Sequence, residues 1–214
     1  MNDRKTLIIT GGTGGLGTTV VASLAREYRC VLLSRHPAGD EAIQADLSNE
    51  ASVREALTRA VERFGAPYGL VHMAGGFAGD PVSETSSDTW QTMIGLNLTS
   101  SFLVIRETLT RMRRDQPGRI VAISSEASIT KLASAAAYTV SKSALNTLIE
   151  VTAREFRDTA ITANALLPAT LDTPASRKEM PDARRVPLDR VAETISFLLS
   201  ESASSITGAL IPLR

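Results

Sequence analysis

A chain of 214 residues is long enough for one domain with a substantial core. Lysine plus arginine equals aspartate plus glutamate, 23 against 23, and the formal net charge is zero. That balance argues against nonspecific nucleic-acid or anionic-membrane binding as the main activity.

Cys30 is the single cysteine, which excludes an intrachain disulfide and a cysteine metal cluster. Its apolar neighbours mark it as a small buried hydrophobe. No metal site is expected. Residues 1–5 lead into an apolar stretch too short for a signal peptide and interrupted by glycines. No segment approaches the ~20 apolar residues that span a bilayer. The expectation is a cytoplasmic protein with neither membrane nor nucleic acid as partner.

Short apolar runs alternate with helical patterns from end to end. Strands are expected at 5–10, 30–34, 42–45, 69–73, 119–124, 161–166 and 208–212. Helical patterns fill about 15–28, 50–64, 86–115, 137–157 and 188–200. Runs rich in Ile, Val and Leu, without strict alternation, suit a sheet covered on both faces. Strands alternating with helices imply parallel pairing through right-handed crossovers. The fold class is therefore α/β, a single-domain Rossmann-type doubly wound parallel sheet. One domain over residues 1–214 is expected, with a cofactor half over about 1–115 and a catalytic half over about 116–214. Only about seven residues, Arg35 to Glu41, separate the second and third strands. A parallel crossover usually needs a dozen or more, so a loop is expected there in place of a helix.

The first strand runs into Gly11, Thr13, Gly14, Gly15, Leu16 and Gly17. A dinucleotide pyrophosphate must approach backbone closely. Glycines allow that, and the following helix offers unpaired N–H groups and the positive end of its dipole. A strand before this turn and a helix after it support a cofactor site. A hairpin at Gly11-Gly12 is the competing reading. The amphipathic run Val20, Val21, Leu24, Ala25 disfavours it.

Tyr138 lies four residues before Lys142 in a helical pattern, so both face the same side. A free phenol titrates near pH 10, and a nearby ammonium lowers that value. Ser125, thirteen residues before the tyrosine, ends a strand; its hydroxyl is suited to orient a carbonyl. Ser124 would face the other way along that strand. His72 closes an apolar strand and reads as a packed, hydrogen-bonded residue; an acid/base role is the alternative. His36 reads as a surface loop residue.

The spacing of Gly11, Gly15 and Gly17, with Ser125, Tyr138 and Lys142 in order, resembles the short-chain dehydrogenases/reductases over nearly the whole chain. The resemblance implies a nicotinamide cofactor and a small-molecule carbonyl/alcohol substrate, with Tyr138 as acid/base. It implies that Lys142 holds the nicotinamide ribose as well, and that Asn97 supports a proton relay with it. Asp46 and Leu47 resemble the family's adenine contact; read alone, Asp46 is a helix cap or turn residue. Ala74-Gly75 resembles half of an Asn-Asn-Ala-Gly motif whose asparagines are here His72-Met73. Pro168, Leu171 and Thr173 resemble the segment that closes over the nicotinamide, with Ala169 in place of its glycine. No carboxylate ends the second strand. Arg35 stands there and suits a 2′-phosphate, so NADP is favoured and NAD is the alternative.

The stretch 167–181 and Gly75-Gly76-Phe77 are similar to the dihydropteridine reductase branch, which makes a pteridine- or quinonoid-type reductase the alternative activity. A non-catalytic dinucleotide-binding redox sensor is the rival from another class. A short charged lid over about 174–187 suggests a small or polar carbonyl, anionic if Arg177 and Lys178 reach it; a solvated loop is the other reading. Family members commonly assemble through helices like those near 97–113 and 138–156, so a homotetramer or homodimer is expected.

Overall fold

The computed structural model describes residues 4–214; expectations resting on residues 1–3 lie outside that range. In chain order, β1 (Thr6–Thr10) leads to α1 (Gly15–Leu24), then β2 (Arg29–Ser34) and β3 (Ala42–Gln44). Next come α2 (Glu50–Phe64), β4 (Gly69–His72) and α3 (Ser87–Ile94). A π-turn (Gly95–Thr99) joins α3 to α4 (Ser100–Leu109). The second half holds β5 (Gly118–Ile123), α5 (Ala127–Thr130), α6 (Ala136–Glu155) and β6 (Ile161–Pro168). It closes with α7 (Pro174–Glu179), α8 (Leu188–Leu199) and β7 (Leu210–Leu213).

All seven strands pair in parallel, in the order β3-β2-β1-β4-β5-β6-β7. This is the expected doubly wound α/β sheet. Strand side chains alternate between two cores, as a period of two requires. Ile8, Ile120 and Ala122 face α2, α4 and α6 through Leu57, Val104 and Leu145. Leu7, Ile9, Val121 and Ile123 face α1 and α8 through Val20, Leu24 and Ile195. Both faces are covered, which is why the strand sequences are apolar at consecutive positions.

The seven-residue link between β2 and β3 carries no helix. Register explains how so short a link returns in parallel. Leu32 pairs with Ala42, and β3 runs beside only the last three residues of β2. The chain backtracks by about two residues, roughly 7 Å at ~3.3 Å each, which a loop spans.

The long helical pattern at 86–115 is in fact α3, the π-turn and α4. The Ser100 N–H bonds back to Gly95 O, five residues earlier, and the extra residue widens the helix there. The short helices α5 and α7 were absent from the expected set; four and six residues are too few to show periodicity.

Strand order reverses between β1 and β4, which opens a crevice at their C-terminal ends. Two glycines let the chain turn there. Gly11 has φ +69°, and a Cβ on it would lie 2.7 Å from Ala74 N. A Cβ on Gly17 would lie 2.1 Å from Gly11 O and 2.6 Å from the Gly12 carbonyl carbon. Gly17→Ala is therefore expected to lower unfolding free energy by about 1–3 kcal/mol. A Cβ on helical Gly95 meets nothing within 4 Å. Gly95→Ala is expected to be neutral or to stabilise by up to ~1 kcal/mol. Urea midpoints at constant slope distinguish the two.

Candidate active site

A cleft of about 750 Å³ opens at the C-terminal end of the sheet. Gly75, Ser125, Tyr138, Lys142, Pro168, Leu171 and Thr173 all line it. Residues from the β4, β5 and β6 ends, α6 and the start of α7 thus converge on one space.

At its floor, Lys142 is buried and donates from Nζ to Ile123 O at 2.9 Å. Burial holds its ammonium down at about 8. Tyr138, one helical turn earlier, is half-buried. Burial raises its phenol above the ordinary value, and a hydrogen bond from the Ser125 side pulls in the opposite direction without overcoming it. The lowering expected from Lys142 does not appear in this balance; its Nζ is turned to the Ile123 carbonyl.

Ser125 is buried at the end of β5, where its Oγ accepts the Ala127 N–H at 3.2 Å. The strand end is pinned: Ser124 N–H bonds to Leu166 O and Glu126 N–H to Pro168 O. Ser124 donates its hydroxyl to Lys142 O at 3.2 Å, against the α6 backbone.

Asn97 is fully buried behind Gly75 and Gly76, inside the π-turn. Its Oδ1 accepts the Gly76 N–H at 2.8 Å, and its Nδ2 donates to Gly76 O and to Ser141 Oγ, each at 3.0 Å. Ser141 in turn donates to Tyr138 O at 2.7 Å. A Cβ on Gly75 would lie 2.7 Å from Asn97 Oδ1 and 3.3 Å from Lys142 Nζ. Only glycine leaves that approach open.

His72 is the hydrogen-bonded residue expected, with both ring nitrogens engaged. Thr10 Oγ1 lies 2.8 Å from Nδ1, and Ser101 Oγ lies 2.8 Å from Nε2. Ser101 donates its own proton to Asn97 O at 2.7 Å, so it must accept from His72. The tautomer is thereby fixed: Nε2 carries the hydrogen and Nδ1 accepts from Thr10. Full burial, with Lys142 nearby, drops the imidazole to about 3.

The glycine turn forms a second region of the crevice. Gly14 precedes α1 with no side-chain cap and no acidic residue in the first turn. Thr13, Gly14 and Gly15 are exposed, whereas Leu16 and Gly17 are buried against the sheet. The helix end therefore offers free N–H groups and a positive dipole end to an anion. Thr173 Cγ2 would meet a Gly15 Cβ at 3.2 Å, so the α7 segment overhangs this turn. Arg35 is exposed past β2 and makes no ion pair among the described residues. Ala74 donates its N–H to Thr10 Oγ1 at 3.4 Å.

Asp46 is exposed, and its Oδ1 accepts both the N–H and hydroxyl of Ser48. Those bonds hold its carboxyl below the usual range. Asn49, not Asp46, caps α2. Leu47 packs against the core beside α2. Cys30 is buried and its thiol is pushed up to about 11. His36 is exposed. Among the described residues, no group of three potential ligands could hold a metal ion. No described helix is long and apolar enough to cross a membrane.

The lid cations do not reach the cleft. Arg177 is held by Asp172 through two bonds, 2.7 and 2.8 Å, and neither it nor Lys178 lines the space. Ser141 and Ser101 escaped the sequence reading. Their helical offsets, three from Tyr138 and four from Asn97, were the available signal.

The short chain dehydrogenase family model matches residues 5–184. The chain belongs to this family. As a short-chain dehydrogenase it is an oxidoreductase. It is 28% identical over 235 residues to 2,5-dichloro-2,5-cyclohexadiene-1,4-diol dehydrogenase LinX of Sphingobium indicum, covering 98% of this chain and 94% of that protein. Solved short-chain dehydrogenase folds superpose closely. ElxO with NADP bound has a TM-score of 0.90 at 26% identity, covering 98% of this chain and 96% of that one. The 3-ketoacyl-(acyl-carrier-protein) reductase of Brucella melitensis complexed with NADH has a TM-score of 0.88 at 26% identity, with the same coverages.

The low value of His72 has a thermodynamic consequence. Unfolded His binds a proton below about pH 6.5, and folded His72 does not. Stability is therefore expected to fall as pH drops from 6.5 to 5, by about 1 kcal/mol per pH unit from this residue. His72→Gln should flatten that slope in denaturant titrations. In nitrogen NMR the native ring should stay the neutral Nε2–H tautomer throughout.

Proposed function

We propose that this protein transfers a hydride between NADP(H) and a carbonyl/alcohol pair, with Tyr138 as the acid/base. The observation that carries the reading is the convergence of Ser125, Tyr138 and Lys142 on one cleft beside an uncapped, glycine-opened helix end. The relatives support the cofactor class: ElxO is solved with NADP and the Brucella enzyme with NADH.

The residues present fit a dinucleotide. Gly11, Thr13, Gly14, Gly15, Leu16 and Gly17 form the turn for a pyrophosphate. Asp46 and Leu47 flank the adenine side. Ala74, Gly75, Pro168, Leu171 and Thr173 border the nicotinamide side. Arg35, free of an ion-pair partner among the described residues, is matched to a 2′-phosphate, which favours NADP over NAD.

A bound nicotinamide supplies or accepts the hydride. During reduction, Ser125 orients the carbonyl, and the Tyr138 phenol gives its proton to the oxygen as negative charge develops there. Lys142, one turn away, stabilises the phenolate that remains. Asn97 holds the loop at Gly76 and the α6 backbone, through Ser141, in fixed relation during that transfer. For alcohol oxidation the proton runs the other way.

A pteridine- or quinonoid-type reductase is the second reading. It is favoured by the Phe77 ring, which meets the Tyr138 ring edge-on with centroids 4.9 Å apart. Relative rates on quinonoid dihydropterin and simple ketones separate the two. Assembly as a homotetramer or homodimer remains our expectation. Leu103, Leu145 and Phe156 cover the sheet, but Phe102 on α4 and Val151 on α6 stay exposed.

Tyr138→Phe is expected to cut turnover at least about 100-fold while NADPH affinity, measured by fluorescence titration, is unchanged. Arg35→Ala is expected to raise the NADPH Kd roughly tenfold and leave the NADH Kd in place.

A further inference from the structure

The charged and apolar groups of the cleft sort by sign and position. Among the described residues, Glu126, Lys142 and Glu179 are its only ionisable side chains besides Tyr138. Lys142 lies on the floor with its Nζ committed to Ile123 O. Glu126 is partly offset by Arg214, at 2.6 Å, and Glu179 is exposed on the lid. Every other cation near the rim with a partner is turned away. Arg177 pairs with Asp172, Arg185 donates to Pro181 O, and Lys131 donates to Ser143 Oγ. Among the described residues, the mouth thus carries the carboxylates of Glu126 and Glu179 and no lid cation lines it; Lys178, exposed beside Glu179, lies outside the lining.

The same mouth exposes large apolar side chains. Phe77 is 63% exposed, Leu132 47% and Met180 45%, and all three line the cleft. Exposed apolar groups gathered at a concave site mark where a ligand's apolar surface is covered. Phe77 stands against the Tyr138 ring, so a substituent on the reacting carbon would lie beside it.

We infer that the cleft takes a neutral carbonyl or alcohol with an apolar body, packed on Phe77, Leu132 and Met180, and discriminates against anionic analogues. This rests on the carbonyl/alcohol reading above and names its substrate class. Like charges placed together repel, and that repulsion is the source of the selectivity.

The probes are 2-octanone and 2-oxooctanoate, which share a chain and differ by a carboxylate. Their Kd values are measured on the Tyr138→Phe protein saturated with reduced nicotinamide cofactor, and kcat/KM on the wild type. The neutral ketone should bind at least roughly tenfold more tightly. Glu179→Gln should narrow the gap by improving the oxo acid alone. Phe77→Ala should raise the Kd of the ketone. Equal or tighter binding of the oxo acid overturns the inference. So does a gap in Kd that Glu179→Gln leaves unchanged, or a ketone Kd that Phe77→Ala leaves unchanged. Absence of turnover with the binding gap intact upholds the ligand class and overturns the hydride-transfer reading instead.

Discussion

One buried carboxamide joins the pieces of this site. Asn97 pairs with both backbone groups of Gly76 and with Ser141, which holds the Tyr138 carbonyl. Strand β4's loop and helix α6 therefore meet at a single side chain. Each Gly76 group left unsatisfied by its removal would cost about 1–3 kcal/mol. The π-turn is what brings the carboxamide to this place. An extra residue in that turn lets Asn97 lie with its side chain toward the loop and its carbonyl toward Ser101.

That carbonyl continues the linkage in one direction. Ser101 donates to it, His72 donates to Ser101, and Thr10 donates to His72. The chain of bonds runs from β1 through β4 to α4, across the point where strand order reverses. Through its two ring nitrogens, histidine spans the gap between two hydroxyls on different elements. The ring does this as the neutral form, because a second buried cation beside Lys142 is too costly. Gly11 packs against the Met73–Ala74 backbone on the same seam. The glycine turn and the Asn97 hub are thus two ends of one rigid junction.

The sequence revealed what local chemistry dictates. All seven strands were visible as apolar runs, most clearly β1, β4, β5 and β6, which are buried at every position. The glycine turn was visible because close backbone contact at Gly11 and Gly17 admits no other residue. The π-turn was not visible: apolar residues such as Met93 and Leu103 keep a helical rhythm across it, and periodicity does not register one inserted residue. The Thr10–His72–Ser101 linkage was hidden because its members are 62 and 29 residues apart. The lid misled for a related reason. Arg177 looks available in the sequence, yet Asp172, five positions earlier, accepts from its Nε and Nη2 in a bidentate pair.

The electrostatic state of the cleft carries a further implication. Burial penalises charge on Lys142 and on Tyr138 alike, lowering the first and raising the second. In the resting chain the phenol therefore keeps its proton, and the phenolate is the costly form. Such a phenol is prepared to donate, and its reluctance to ionise is useful only if something lowers that cost at the moment of transfer. In the reaction proposed above, negative charge on a substrate oxygen held by Ser125 would draw the proton, and the ammonium one turn away would then face a phenolate in place of a neutral ring. The pair gains its favourable interaction in the charge-separated state and little before it. That is the arrangement in which an interaction is stronger in the transition state than in the ground state.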